Sequence, residues 1–352
     1  MNTLWQQYQQ LKSENAYLFQ YDAAKLLNVS EGALLTTAPD VHYLGQDYLA
    51  VLQRLSAIQE VQLMVRNGCT VHEKNTRIQP LKTSPHVVMA IDVGGYDVRM
   101  FPKHWQHVMA YDFESRGKTM RSIQFFDAQG HALQKVYLRS DDTAVWQAII
   151  DDFKQPKKLP SFAALAQPQT RARVQLSAED THAFQQRWRA MSNVHQFFGL
   201  MADYKLNRLD AFQHAPAGYA FKLGTEHIET VLRTAAAQDV PLIQFVGNDG
   251  IIQIQTGTVK NISRLQGWLN IFDAKHNGFT LHLDDSAVYS TWLVLRPTQD
   301  GIVSCIDCLD REGNSVLTIF GQRVEGQAEL EAWRNVLQQS TGHSIVDKVA
   351  AA

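Results

Sequence analysis

Leu63-Met64-Val65-Arg66-Asn67-Gly68 returns about 180 residues later as Gln244-Phe245-Val246-Gly247-Asn248-Asp249. Each stretch is an apolar run that ends in a turn-forming pair, the mark of a strand entering a tight turn. A second correspondence follows in the same order. Phe126-Asp127-Ala128-Gln129-Gly130, with Leu133 and Tyr137 beyond it, matches Leu309-Asp310-Arg311-Glu312-Gly313, with Val316 and Phe320. Each of these strand-turn-strand segments is succeeded by an acidic helical stretch carrying one tryptophan, Trp146 in the first half and Trp333 in the second. Two correspondences in one order imply a duplicated unit. Within each half, helical patterns come first, and a run of strands follows with turns at Asn67-Gly68, Gly94-Gly95, Gln129-Gly130, Asn248-Asp249-Gly250 and Glu312-Gly313. Helices segregated from strands joined by short turns predict an α+β fold: a tandem structural duplication, each half helices followed by a largely antiparallel β-sheet.

Working outward, Lys154-Gln155-Pro156-Lys157-Lys158-Leu159-Pro160 and Gln167-Pro168-Gln169 supply proline and charge without apolar periodicity, as a linker does. Ser177 with Asp180 has the form of a helix N-terminus, and the helical pattern then runs to about Tyr204. The expected organisation is a first repeat at 1–153, a linker at 154–176, a second repeat at 177–340 and a tail at 341–352.

The 352 residues are 45% hydrophobic and 19% charged, the composition of an ordinary globular protein. A net charge of −2 offers no global basic field for a polyanion, so nucleic acid is not an expected partner. The opening Met1-Asn2-Thr3-Leu4-Trp5 lacks the basic-then-apolar form of a secretory signal, and nothing later supplies the roughly 18 uninterrupted apolar residues of a membrane span. Three cysteines are too few and too odd for a disulfide framework, so the cytoplasm is the expected compartment. Cys305-Ile306-Asp307-Cys308 has CxxC spacing but lies in a strand pattern, where residues three apart point to opposite faces. With no second pair and no nearby histidine, a zinc site is not expected there. His104 and His107 also have a metal-like spacing, without further ligands beside them.

Between about 180 and 204, Trp188, Met191, His195 and Phe198 recur at spacings of three and four, which places one imidazole on an apolar helical stripe. Taken alone, the pattern also fits a core histidine that has found a hydrogen-bond partner. The surrounding text adds more. Trp188-Arg189-Ala190-Met191-Ser192-Asn193-Val194-His195-Gln196-Phe197-Phe198 closely resembles the haem-ligand helix of the HemS/ChuS family of cytoplasmic haem-utilisation proteins. The resemblance continues in order through Phe245-Val246-Gly247-Asn248-Asp249-Gly250, Gly267-Trp268-Leu269-Asn270, Phe279-Thr280-Leu281-His282-Leu283, Pro297-Thr298 and Phe320-Gly321-Gln322-Arg323 with Glu325-Gly326. In the first half it takes in Val71-His72-Glu73, Val98-Arg99-Met100-Phe101 and Ser122-Ile123-Gln124-Phe125-Phe126-Asp127. It covers nearly the whole chain apart from the linker and the last dozen residues.

The resemblance implies haem (iron protoporphyrin IX) held in the second repeat by His195 as iron ligand, with Arg99 reaching across from the first half. His195 and Arg99 are the expected catalytic residues. Arg208, Phe245, Arg296 and Arg323 are expected around the haem, the arginines for its propionates, and His72 marks a second haem site. Each of Arg208, Arg296 and Arg323 alone reads more often as a solvated surface residue, Arg99 reads equally as the partner of Asp97, and His72 as a partly exposed strand histidine. Arg296 departs from the family, where a lysine is usual. The expected activity is oxidative haem degradation that releases iron for bacterial iron acquisition, with electrons from a reductase or small reductant because no nicotinamide or flavin fingerprint occurs. The alternative is a carrier or store that hands haem to a separate haem oxygenase. A haem importer is a further expected partner, and a relative that has lost haem and acts as an interaction module is the third reading.

Overall fold

The computed structural model describes residues 3–15, 17–115, 117–155, 159–163, 165, 171–324 and 326–345. Pro156, Lys157, Lys158, Gln167, Pro168 and Gln169 of the expected linker, Glu325, and the tail from 346 onward lie outside the described residues. In chain order the first half forms α1 (Leu4–Glu14), α2 (Gln20–Leu26), α3 (Glu31–Leu35), β1 (His42–Gly45), α4 (Tyr48–Leu55), β2 (Val61–Arg66), β3 (Thr70–Thr76), β4 (Lys82–Thr83), β5 (Val88–Ala90), β6 (Val98–Met100), β7 (His107–Ser115), β8 (Lys118–Phe126), β9 (Ala132–Leu138) and α5 (Thr143–Phe153). The second half forms α6 (Ala178–Arg189), α7 (Gln196–Asp203), α8 (Arg208–Gln213), β10 (Ala220–Leu223), α9 (Glu226–Ala237), β11 (Leu242–Gly247), β12 (Ile251–Gly257), β13 (Ile262–Leu265), β14 (Trp268–Asp273), α10 (Ala274–Asn277), β15 (Phe279–Leu283), β16 (Ser290–Thr298), β17 (Gly301–Leu309), β18 (Ser315–Gly321) and α11 (Glu331–Thr341).

The chain divides into two compact units, and the division is not one cut. The first unit comprises Met1–Arg66, Glu73–Pro168 and Asn248–Gln253, and the second comprises Asn67–His72, Gln169–Gly247 and Ile254–Ala352. Each unit repeats one plan. In the first, the strand order is β1-β7-β8-β9-β2-β3, with a shorter run β12-β6-β5-β4; in the second it is β10-β16-β17-β18-β11-β12, with a shorter run β3-β15-β14-β13. β3 and β12 appear twice because their residues are shared out between the units. The fold is therefore α+β and duplicated, as the sequence predicts.

The turn asparagines show why the opening motif repeats. In the second unit Asn67 Nδ2 donates to the carbonyls of Gly247 and Val316, at 3.1 and 2.9 Å, while its Oδ1 accepts from the backbone of Cys69 and Thr70. In the first unit Asn248 Nδ2 donates to the carbonyls of Arg66 and Leu133, at 3.2 and 2.9 Å, and its Oδ1 accepts from Gly250. An asparagine side chain can close its own turn and tie off two other carbonyls at once, which an apolar residue there could not do.

In the second unit the sheet β10-β16-β17-β18-β11 has two apolar faces, because alternate residues of a central strand point in opposite directions. Ile302, Ile306 and Cys308 of β17 join the core beneath α9 and α11, with Trp333, Val336 and Leu337. Cys305 and Leu309 join Phe184, Trp188, Phe197 and Phe212 of α6 to α8 on the other face. Cys305 and Cys308 thus lie on opposite faces, as strand alternation requires, and burial pushes the Cys305 thiol up to about 12.

Candidate functional site

The helical reading from Ser177 to Tyr204 requires correction. Ser177 does cap the start, its Oγ accepting from Asp180 N at 3.0 Å, but α6 ends at Arg189 and α7 starts only at Gln196. The residues between supply their own hydrogen bonds. Asn193 Oδ1 accepts from His195 N at 2.8 Å, and Gln196 Oε1 accepts from the backbone of Ser192 and Asn193 at 2.8 and 3.3 Å. Short polar side chains that bond locally compete with the helix for the backbone. The Ser192 carbonyl instead accepts from Gln299 N at 3.0 Å, fastening the break to the turn after β16.

His195 consequently caps α7 rather than joining a continuous stripe. Trp188 and Met191 are buried, and Trp188 Nε1 donates to the Leu295 carbonyl at 3.0 Å, whereas His195 and Phe198 are exposed. Neither ring nitrogen of His195 has a hydrogen-bond partner among the described residues, so the second nitrogen lacks the carbonyl or carboxylate that iron-ligand histidines commonly use. The imidazole lines a cleft within the second unit, formed by Ser192, Asn193, Val194, His195, Thr298, Gln299, Asp300 and Arg323.

The face of β16 to β18 beside α7 and α8 holds two of the cations, Arg208 and Arg296. Arg208 opens α8, and its Nη1 donates to Asp307 Oδ2 at 2.5 Å. Arg296 lies on β16 with 3% exposure, its guanidinium 4.5 Å from the Phe197 ring centre and 5.7 Å from that of Phe320. Its Nη2 is 3.8 Å from Asp307 Oδ2, and its Nε and Nη2 find no acceptor among the described residues. Burial pulls its pKa down, with Arg208 adding to the effect. Arg323 lies 3.6 Å from Asp300 Oδ2, and its buried Nε finds no acceptor among the described residues. Phe245 meets Phe320 edge to face at 5.6 Å, and the Arg208 guanidinium stands 5.4 Å from the exposed Phe198 ring. The second unit therefore places Arg208, Arg296 and aromatic rings on one face of a sheet, and the open imidazole of His195 with Arg323 in a cleft at the turn between β16 and β17.

Two predicted residues lie elsewhere. Arg99, on β6 of the first unit, gives its Nη1 to Asp97 Oδ1 at 2.6 Å and to the carbonyls of Ala90 and Val98. His72 is wholly buried rather than partly exposed, with its ring edge-on to Phe279 at 5.0 Å, so a second haem at His72 would require that packing to open. Asp307 was not among the residues expected from sequence. It sits inside the CxxC spacing, and the same alternation that parts the two cysteines puts Asp307 on the face of Arg296.

A model of the haemin-degrading HemS/ChuX domain matches residues 28–153 and again 205–340. The chain belongs to this haemin-degrading HemS/ChuX-domain family. Arg208, Phe245, Arg296, Asp307 and Arg323 fall inside the second matched segment, and His195 lies between the two. Hemin transport protein HmuS of Yersinia pestis is 32% identical over 347 residues, covering 97% of this chain and 99% of that protein. Among solved structures, holo-PhuS, a heme-binding protein from Pseudomonas aeruginosa, superposes with a TM-score of 0.86 at 31% identity, over 95% of this chain and 96% of that one. The heme degrading enzyme ChuS of Escherichia coli O157:H7 gives 0.85 at 29% identity, over 96% and 98%. Family and fold are thus settled along nearly the full length.

The residues present fit a haem. Its iron needs a nitrogen or sulfur ligand, its macrocycle an apolar surface, and its propionates fixed cations. The buried nitrogens of Arg296 and Arg323 are the most specific element of that fit. Buried guanidinium N–H groups without acceptors are costly, and a carboxylate from a ligand would satisfy them.

Proposed function

We propose that this chain binds haem as its cargo and substrate in the second unit, with His195 as iron ligand and Arg208, Arg296 and Arg323 receiving the propionates, and that it degrades haem oxidatively in the cytoplasm to release iron. The observation that carries the reading is the exposed His195 imidazole on the same unit as two arginines whose buried nitrogens find no acceptor among the described residues. Phe198, Phe197, Phe245 and Phe320 supply the aromatic surroundings that a macrocycle needs. A neutral imidazole ligand is compatible with oxygen chemistry, and the ring itself is then the nearest oxidisable group. Electrons come from an external reductase or small reductant. The carrier reading has its own support, because close relatives bear the name hemin transport protein.

One assay separates the readings. Haemin is added, the Soret band recorded, and ascorbate supplied under air with catalase, since free peroxide bleaches haem unaided. Decay of the band with iron appearing on a chelator supports degradation. A stable band with transfer to an apoprotein acceptor replaces it with the carrier, and no band at all contradicts haem binding. Arg99→Ala tests the role that family resemblance implies for Arg99: it should slow the decay or change the tetrapyrrole product, and unchanged kinetics and product would remove Arg99 from the chemistry.

A further inference from the structure

Among the described residues, Asp307 is the carboxylate shared by Arg208 and Arg296, and its environment is complete on one side only. The residue is fully buried in the middle of β17. Oδ1 accepts from Ser315 Oγ at 2.7 Å and from Thr318 Oγ1 at 3.1 Å, which fixes the plane of the carboxylate. Oδ2 is thereby turned toward Arg208 Nη1 at 2.5 Å and Arg296 Nη2 at 3.8 Å. One carboxylate facing two guanidiniums leaves an excess positive charge in a dry setting, where charge interactions are strong. Arg296 retains two N–H groups that Asp307 does not reach within hydrogen-bond distance.

We propose that Asp307 is a positioning residue: it holds Arg208 and Arg296 side by side with their remaining N–H groups free, so that together they select a ligand carrying carboxylates over the same ligand without them. The inference rests on the haem reading above, in which those carboxylates are the propionates. Without Asp307 the two guanidiniums repel one another, Arg208 loses its tether, and the pair no longer presents a fixed fork. Preorganised donors act on a ligand because their orientation is set before binding. The first unit supplies an internal comparison. The position on β8 that corresponds to Asp307 is Gln124, which is neutral, and the position on β7 that corresponds to Arg296 is Phe113. The acidic side chain accompanies the arginines and is absent where they are absent.

The test compares haemin with haemin dimethyl ester, in which both propionates are neutral, by titration of the full chain followed at the Soret band. The parent should bind haemin at least tenfold more tightly than the diester. Asp307→Asn, which keeps size and shape, should bring that ratio to within about threefold of unity while leaving the diester affinity and the Soret position unchanged. A generally damaged fold would weaken both ligands together, so the ratio distinguishes positioning from structure. If Asp307→Asn folds and keeps the parental ratio, the proposal is wrong. A parent that binds acid and diester equally also overturns it while leaving haem binding intact, and a parent that gives no Soret band with either ligand overturns both. Should Asp307→Asn not fold by circular dichroism, the double variant Ser315→Ala, Thr318→Val frees Oδ1 instead. It should reduce the ratio two- to fivefold, and an unchanged ratio there counts against the proposal.

Discussion

The two units use one scaffold and finish it with different electrostatics, a balanced pair in one and an excess of positive charge in the other. β7, β8 and β9 of the first unit correspond strand for strand to β16, β17 and β18 of the second, and α3 corresponds to α8. The caps and turns show how close the correspondence is. Ser30 caps α3 and Asn207 caps α8, and each packs on the turn glycine of the neighbouring hairpin, Gly130 or Gly313, both at positive φ. A Cβ on Gly130 would lie 2.4 Å from Ser30 Oγ, and one on Gly313 would lie 2.6 Å from Asn207 Cγ, so both turns demand glycine for the same reason. The residue after the cap then diverges. In the first unit it is Glu31, which pairs with the Lys135 ammonium in a nearly buried ion pair. In the second it is Arg208, and the strand position matching Lys135 is Thr318. The first unit closes its face with a balanced pair; the second leaves Arg208 and Arg296 around one carboxylate. A duplicated fold thus holds two different charge sets on a shared frame through a handful of substitutions.

The largest expected effect comes from removing one member of the second unit's charge set, with replacement of the whole first-unit pair as its comparison. Arg208→Ala leaves Asp307 fully buried with only the more distant Arg296, and should cost about 3 kcal/mol in urea unfolding as well as weakening haemin binding. The double variant Glu31→Met, Lys135→Met replaces a whole ion pair with apolar side chains and should leave both stability and haemin affinity near the parent. If the first-unit double variant loses haemin as strongly as Arg208→Ala, the division of labour between the units is wrong.

A smaller effect sharpens the comparison on the opposite face of the sheet. Ser304 on β17 bonds Glu329 through its N and Oγ, with Oγ at 2.8 and 2.6 Å from the two carboxylate oxygens. The matching first-unit residue, Arg121, forms a half-exposed pair with Asp112. Burial raises Glu329 from 4.5 to about 7. The native state therefore holds a proton that the unfolded chain has already lost between those two values. The contribution of Glu329 to stability should be fully present below about pH 4.5, fall by about 3 kcal/mol as pH rises toward 7, and level off above. Glu329→Gln, with no proton to lose, should flatten that fall in unfolding experiments from pH 4.5 to 8. An unchanged slope would place the titration elsewhere.

Much of this was legible in the sequence. Asn67-Gly68 and Asn248-Asp249-Gly250 announced their turns because asparagine and glycine have few other uses between apolar runs, and Ser177 announced its helix for a similar reason. The exchange of Asn67–His72 and Asn248–Gln253 between units could not be read, because a strand's residues do not record which sheet receives them. At the site, aromatic residues and arginines stood out by type. The helix break before His195 did not, because spacings of three and four among Trp188, Met191, His195 and Phe198 mimic an unbroken stripe, while the deciding contact, Gln299 N to the Ser192 carbonyl, joins residues far apart in the chain. Asp307 was hidden by its neighbours, since a carboxylate between two cysteines invites a metal reading until strand alternation is applied across all three residues.

The central claim is that the second unit binds haem through His195, and haemin titration of the parent, His195→Ala and His214→Ala tests it most directly. His214 lies in the same unit, with its Nε2 3.3 Å from the Val174 carbonyl, and serves as the matched control. The parent and His214→Ala should give the same Soret band and the same affinity, and His195→Ala should shift or abolish the band. A His195→Ala protein with the parental spectrum and affinity would contradict the account.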